Sequence, residues 1–169
     1  EEATLFDGLD AGWTRFDDVA LPAVARTAID SLDRSAALAE RMLDVRNPGG
    51  VVAPLAAHVR HARTAFGAVA GSGGGAMCEA VPVPSCGGAL GDLAVSLDVE
   101  LRRAESALLE AAGVAVEANA AHALTAYGDT MPVVIEVYNR GSSPVAIRGV
   151  RFRAGWPATS TPGTTPRAR

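Results

Sequence analysis

Up to Gly113 the apolar residues of this chain recur every three or four positions, and beyond it every second position. One polypeptide must therefore supply helices first and strands afterwards. The expected class is α+β, an antiparallel three-helix bundle followed by a partial antiparallel β-segment. At 169 residues there is enough chain for a real core.

Four regions follow from the spacing. Residues 1–17 carry Leu5, Phe6, Leu9, Trp13 and Phe16 at roughly helical intervals, but Gly8 and Gly12 weaken a helix there, so a lead-in segment is expected. The helical region spans 18–113. Its first helix is expected to be capped by Asp17 or Asp18, with Pro22 in the first turn. The apolar stripe of that helix reads Leu21, Val24, Ala28, Leu32, Ala36, Ala39 and Leu43.

Asn47 and Pro48 end this stripe and start a second helix with Val52, Leu55, Val59, Ala62, Phe66 and Val69. So short a connection implies an antiparallel pair. Residues 71–91, rich in Gly, Pro and Ser, read as a loop. Leu90, Ala94, Leu97, Leu101, Ala104, Leu108, Ala111 and Ala115 then follow a heptad rhythm, with Gly113 as the expected end of the third helix.

The β-segment covers 114–156. Val114 and Val116 begin one strand, and Val133, Ile135 and Val137 alternate with Val134, Glu136 and Tyr138 in another. Asn139 to Pro144 read as a hairpin loop, after which Val145 and Ile147 resume the alternation. The parity change at Gly149, before Val150 and Phe152, suggests a β-bulge. Residues 157–169 lack periodicity and read as a linker or disordered tail.

Composition narrows the partners. All fifteen basic residues are Arg and the net charge is −4, so the Arg bias reflects base composition and no nucleic-acid partner is expected. Charge is uneven, with six acids in residues 1–20 and six Arg without an acid in 139–169. No apolar run reaches the roughly 18 residues of a membrane span, so none is expected. Glu1 is not a translation start, which leaves room for residues upstream.

Leu5-Phe6-Asp7-Gly8-Leu9-Asp10 with Trp13, then Ala111 through Ala118, then Val133 through Gly141 and Gly155-Trp156, stand in a familiar order. Over roughly residues 4–157 the chain resembles the region downstream of the catalytic domain in large bacterial PIG-L (LmbE-like) deacetylase-family proteins. There a helical segment leads into an immunoglobulin-like module whose second strand ends in an Asn-x-Gly turn, matched here by Asn139-Arg140-Gly141. Pro132 departs from the pattern, which expects a strand residue.

The family's catalytic domain is a zinc-dependent hydrolase of N-acetyl groups on sugars, marked by an Ala-His-Pro-Asp-Asp run. That run is missing from this sequence, so no catalytic or cofactor-binding residue carries over. The resemblance implies a non-catalytic accessory region, with no cofactor of its own and with zinc in the parent catalytic domain. It implies as partners that domain, the remaining β-strands of the module, and glycans, and it inclines the reading toward an extracytoplasmic setting.

Particular residues hold alternative readings. His58 and His61, three apart on the second helix, are the candidate metal ligands, but no third ligand accompanies them, so surface or half-buried histidines are the preferred reading. The competing function is that this pair completes a zinc site in the full-length deacetylase and contributes to its chemistry. Cys78 and Cys86 bracket a Pro-rich stretch, leaving a disulfide and two free thiols both open.

Gly71 through Ala76 matches G-x-G-x-x-A but lacks the strand–turn–helix setting of a dinucleotide loop. No G-x-S-x-G elbow anchors a serine hydrolase. Arg148, Arg151 and Arg153 alternate with Val150 and Phe152 and read as the solvated face of a strand. Trp13, Tyr127, Tyr138 and Trp156 are scattered, and core or interface roles suit them better than sugar stacking.

Overall fold

Pro22, which lacks a backbone N–H, stands immediately before the first long helix, and the computed structural model begins α1 at Ala23 (Ala23–Met42). The structure describes residues 12–71, 88–122, 124, 126 and 129–149. A 3-10 turn at Trp13–Phe16 precedes α1, and a second at Pro48–Val51 leads into α2 (Val52–Val69). Helix α3 (Ala89–Ala111), strand β1 (Val114–Ala120) and strand β2 (Val133–Asn139) complete the order. The class is α+β, with three helices and a two-stranded antiparallel sheet.

The cap expected at Asp17 or Asp18 is not there. Asp17 closes the first 3-10 turn, and its carboxylate instead meets Arg26 at 3.2 Å. The Arg26 guanidinium also donates to the carbonyls of Phe16, Asp17 and Val19 at 3.4, 3.0 and 2.9 Å, so one α1 side chain ties down the preceding segment. Phe16 is thereby held in the core, 6.3 Å from the Trp13 ring.

Helix α2 packs against both α1 and α3. The main core joins Phe16, Ala25, Ala28, Ile29 and Leu32 to Ala62, Ala65 and Val69 of α2 and to Leu93, Ala94 and Leu97 of α3. Alanines at these contacts let the helix axes approach closely. The α1 stripe is turned relative to expectation: Ala25, Ile29 and Ser35 are buried, whereas Val24, Ala36 and Leu43 face out. Both frames share Ala28, Leu32 and Ala39, and the observed one brings Ile29 into the core.

Helix α2 buries Val59, Ala62 and Val69 as expected and adds Pro54, His58 and Ala65. In α3 the expected Ala94, Leu97 and Ala104 are buried together with Leu93. This helix starts at Ala89, so the expected loop ends earlier and Gly91 lies in the first turn.

Gly113 ends α3 as expected, with φ +70 and its N–H bonded to Glu110 O at 3.0 Å. The chain then enters β1 directly. The register pairs Val116 with Val137, Ala118 with Ile135 and Ala120 with Val133 on one face. Ala115 with Tyr138, Glu117 with Glu136, and Asn119 with Val134 occupy the other. Val133, Ile135 and Val137 are half-buried while Val134, Glu136 and Tyr138 are exposed, which is the alternation expected of β2.

The partner of β2 was not legible. It pairs with β1 across residues 121–132, and no strand occurs in 144–149 among the described residues. The turn at Asn139 does form: Asn139 Oδ1 accepts from Gly141 N–H at 3.0 Å and Nδ2 donates to Ser143 O at 2.8 Å. Its position is dictated by α3, because a Cβ on Gly141 would overlap the Ala112 carbonyl. Leu5, Phe6, Leu9, most of the Gly-rich loop, Tyr127, Val150, Arg151, Phe152, Arg153, Trp156 and the tail lie outside the described residues.

Candidate functional site

Two polar side chains are buried among the described residues, Ser35 of α1 and His58 of α2, and they touch. Ser35 sits one helical turn beyond Ser31, so its Oγ reaches the Ser31 and Leu32 carbonyls, both at 2.9 Å. His58 Nδ1 lies 2.9 Å from Ser35 Oγ and 3.2 Å from Leu32 O. On the other side of the ring, His58 Nε2 is 2.7 Å from Glu100 Oε1 of α3. One imidazole thus links all three helices.

Glu100 is two-thirds buried, with 32% of its side chain exposed, against 6% for His58. The hydrogen bond from His58 holds its carboxyl below the ordinary value of 4.5. Burial opposes this shift by penalising the charged form, while the charges of His58 and Arg103 add to it. Close by, Arg63 and Glu105 form a second α2–α3 pair at 2.7 Å, exposed and correspondingly screened.

Serine, histidine and carboxylate in hydrogen-bonded series are the ingredients of an acyl-transfer triad. The setting does not supply the rest. Ser35 is 7% exposed, its Oγ lies within hydrogen-bond reach of two carbonyls of its own helix, and it faces Nδ1. Neither Ser35 nor His58 lines the open surface grooves of about 360 and 340 Å³ on the described residues. The arrangement satisfies buried polar atoms, and among the described residues none is left without a partner.

The two histidines of the candidate metal pair point to different surroundings. His61 lines the groove beside Ala23, Val24, Thr27, Ala28, Ser31 and Thr64. His58, expected to be a surface or half-buried histidine, is instead buried at 4% exposure, with both ring nitrogens engaged. Among the described residues no group of three or more His, Cys, Asp or Glu could hold a metal ion. Cys78 and Cys86 lie outside the described residues, as does most of the 71–76 glycine run.

Sequence reasoning missed the Ser35–His58–Glu100 link. The residues are 23 and 42 positions apart, and only the one-residue rotation of the α1 stripe brings Ser35 inward. A signal was present in the stripes themselves: Ser35 and His58 continue the three–four spacing of their helices as its polar members.

No helix among the described residues is long and apolar enough to cross a membrane. Comparison with protein-family models, with curated proteins and with solved structures finds no match.

Proposed function

We propose that this chain is a non-catalytic accessory region of a larger protein, of the kind found downstream of PIG-L (LmbE-like) catalytic domains. Its helices act as a spacer, and its hairpin forms part of a larger immunoglobulin-like module that contacts a neighbouring domain or glycan. One observation carries the reading: the hairpin is a two-stranded sheet whose apolar face is left partly uncovered. Val116 is 54% exposed although it belongs to the apolar face.

Strand β1 meets α3 at their junction, and β2 packs chiefly on β1. A two-stranded ribbon is marginal in water, so such a face calls for further strands or a neighbouring domain. The reading is tested by incubating the chain with zinc and an N-acetylglucosamine derivative and measuring acetate release. No turnover is expected, and turnover abolished by His58→Ala would overturn it. In the natural reading frame, an Ala-His-Pro-Asp-Asp run is expected upstream and further strand patterns downstream.

A further inference from the structure

Proton count decides the state of the buried link between Ser35, His58 and Glu100. Glu100 is held below the ordinary 4.5, so at neutrality it is a carboxylate and only accepts. His58 Nε2, 2.7 Å from Glu100 Oε1, must therefore carry a proton and donate it. The separation is that of a charge-assisted bond.

The Nδ1 side is more crowded. Ser35 Oγ lies 2.9 Å from each of Ser31 O, Leu32 O and His58 Nδ1, and Nδ1 is itself 3.2 Å from Leu32 O. The two carbonyls are acceptors only. A neutral ring with its proton on Nε2 leaves the single hydroxyl proton to serve every one of these contacts, and it sets the bare Nδ1 lone pair against the Leu32 carbonyl. A second ring proton removes the conflict. Nδ1–H then donates to Ser35 Oγ and Leu32 O, which frees the hydroxyl to donate to Ser31 O.

We propose that this link is a proton-operated latch, closed when His58 is an imidazolium donating from both nitrogens and loosened from α1 when Nδ1 gives up its proton. The Glu100 carboxylate offsets the burial of the cation. Helix α1 faces the ring with the Ser35 hydroxyl and the Leu32 carbonyl, and α3 faces it with Glu100, whose charge Arg103 supports. The turn Pro48–Val51 carries no ionisable side chain. On α2 itself, Arg63 is paired with Glu105, and His61 lines the groove beside α1.

Loss of the Nδ1 proton acts on one side of the ring. The neutral ring keeps Nε2–H and its bond to Glu100, so α2 and α3 stay joined. The Ser35 hydroxyl must then turn from Ser31 O to Nδ1, and the Leu32 carbonyl faces a lone pair. The hold on α1 is thus present on the acid side of proton release and weakens as pH rises past it. A ring that donates to Ser35 Oγ also cannot take the hydroxyl proton, so the closed latch is no catalytic base.

Nuclear magnetic resonance of the full chain, isotope-labelled in its histidine rings, tests the latch in a His61→Ala/His122→Ala background. At about pH 6 two ring N–H signals protected from exchange with water are expected for His58. As pH is raised toward about 9, the Nδ1–H signal should vanish while Nε2–H stays, and the urea midpoint should fall over the same interval. Ser35→Ala should keep both signals at about pH 6, because Leu32 O still accepts, whereas Glu100→Gln should lose Nδ1–H. A single ring N–H signal at about pH 6 in the wild-type ring would overturn the proposal. So would a urea midpoint that stays fixed as Nδ1–H disappears, or one that falls equally in a His58→Gln variant.

Discussion

His58 Nε2 of α2 lies 2.7 Å from Glu100 Oε1 of α3, and this contact makes the helical region sensitive to acid. Glu100 ionises below its ordinary value of 4.5 in the folded chain, chiefly through the His58 hydrogen bond. A carboxyl depressed by folding stabilises the folded state above its unfolded pKa, and this contribution is lost as pH falls through the folded pKa. The stability difference between wild type and Glu100→Gln, read from urea midpoints, should therefore be largest near neutrality and shrink below about pH 4.5.

The two helical histidines should separate on truncation. His58→Ala removes a buried ring together with its hydrogen bonds to Ser35 and Glu100, at a cost of about 2–4 kcal/mol. His61→Ala, at the edge of an open groove, should stay within about 0.5 kcal/mol of wild type. Equal effects in chemical denaturation would contradict the placement of the three-helix link at His58.

Gly113 and Gly141 form the joint between helix and hairpin. A Cβ on Gly113 would lie 2.7 Å from Gly141 N at φ +70, and one on Gly141 would overlap the Ala112 carbonyl. Gly141→Ala and Gly113→Ala should each cost about 1–3 kcal/mol, with amide protection lost first in β1 and β2. Gly67 is exposed in α2 with open space around its Cβ position, so Gly67→Ala should stabilise by about 0.5–1 kcal/mol.

Arg26 fastens the segment around Phe16 chiefly through carbonyl oxygens. Arg26→Ala should destabilise by about 1–2 kcal/mol and expose Trp13, shifting its fluorescence to the red in a Trp156→Phe background. Asp17→Asn removes one exposed ion-pair partner while the carbonyls remain, so its effect should be under about 0.5 kcal/mol. An Asp17 effect as large as that of Arg26 would mean that the ion pair, and not the carbonyl cradle, holds the segment.

Much of the helical region was legible because amphipathic spacing is a local property. The Leu-rich heptads place α3 and its end at Gly113, and the second stripe places α2. The site was harder to see. Its three members contribute nothing recognisable at short range, and a serine inside a helix becomes acceptable only where its hydroxyl finds carbonyls and a partner ring.

The change of period at Gly113 by itself determined that helices precede strands, since 3.6- and 2-residue repeats cannot be exchanged without moving apolar side chains into water. It also determined the alternating faces of β2. Tertiary structure alone decided the frame of the α1 stripe, the inward turn of Ser35 toward His58 and Glu100, and the choice of β1 as the partner of β2. Each depends on which surfaces meet across long stretches of chain, and periodicity states only which side of an element is apolar, not what it faces.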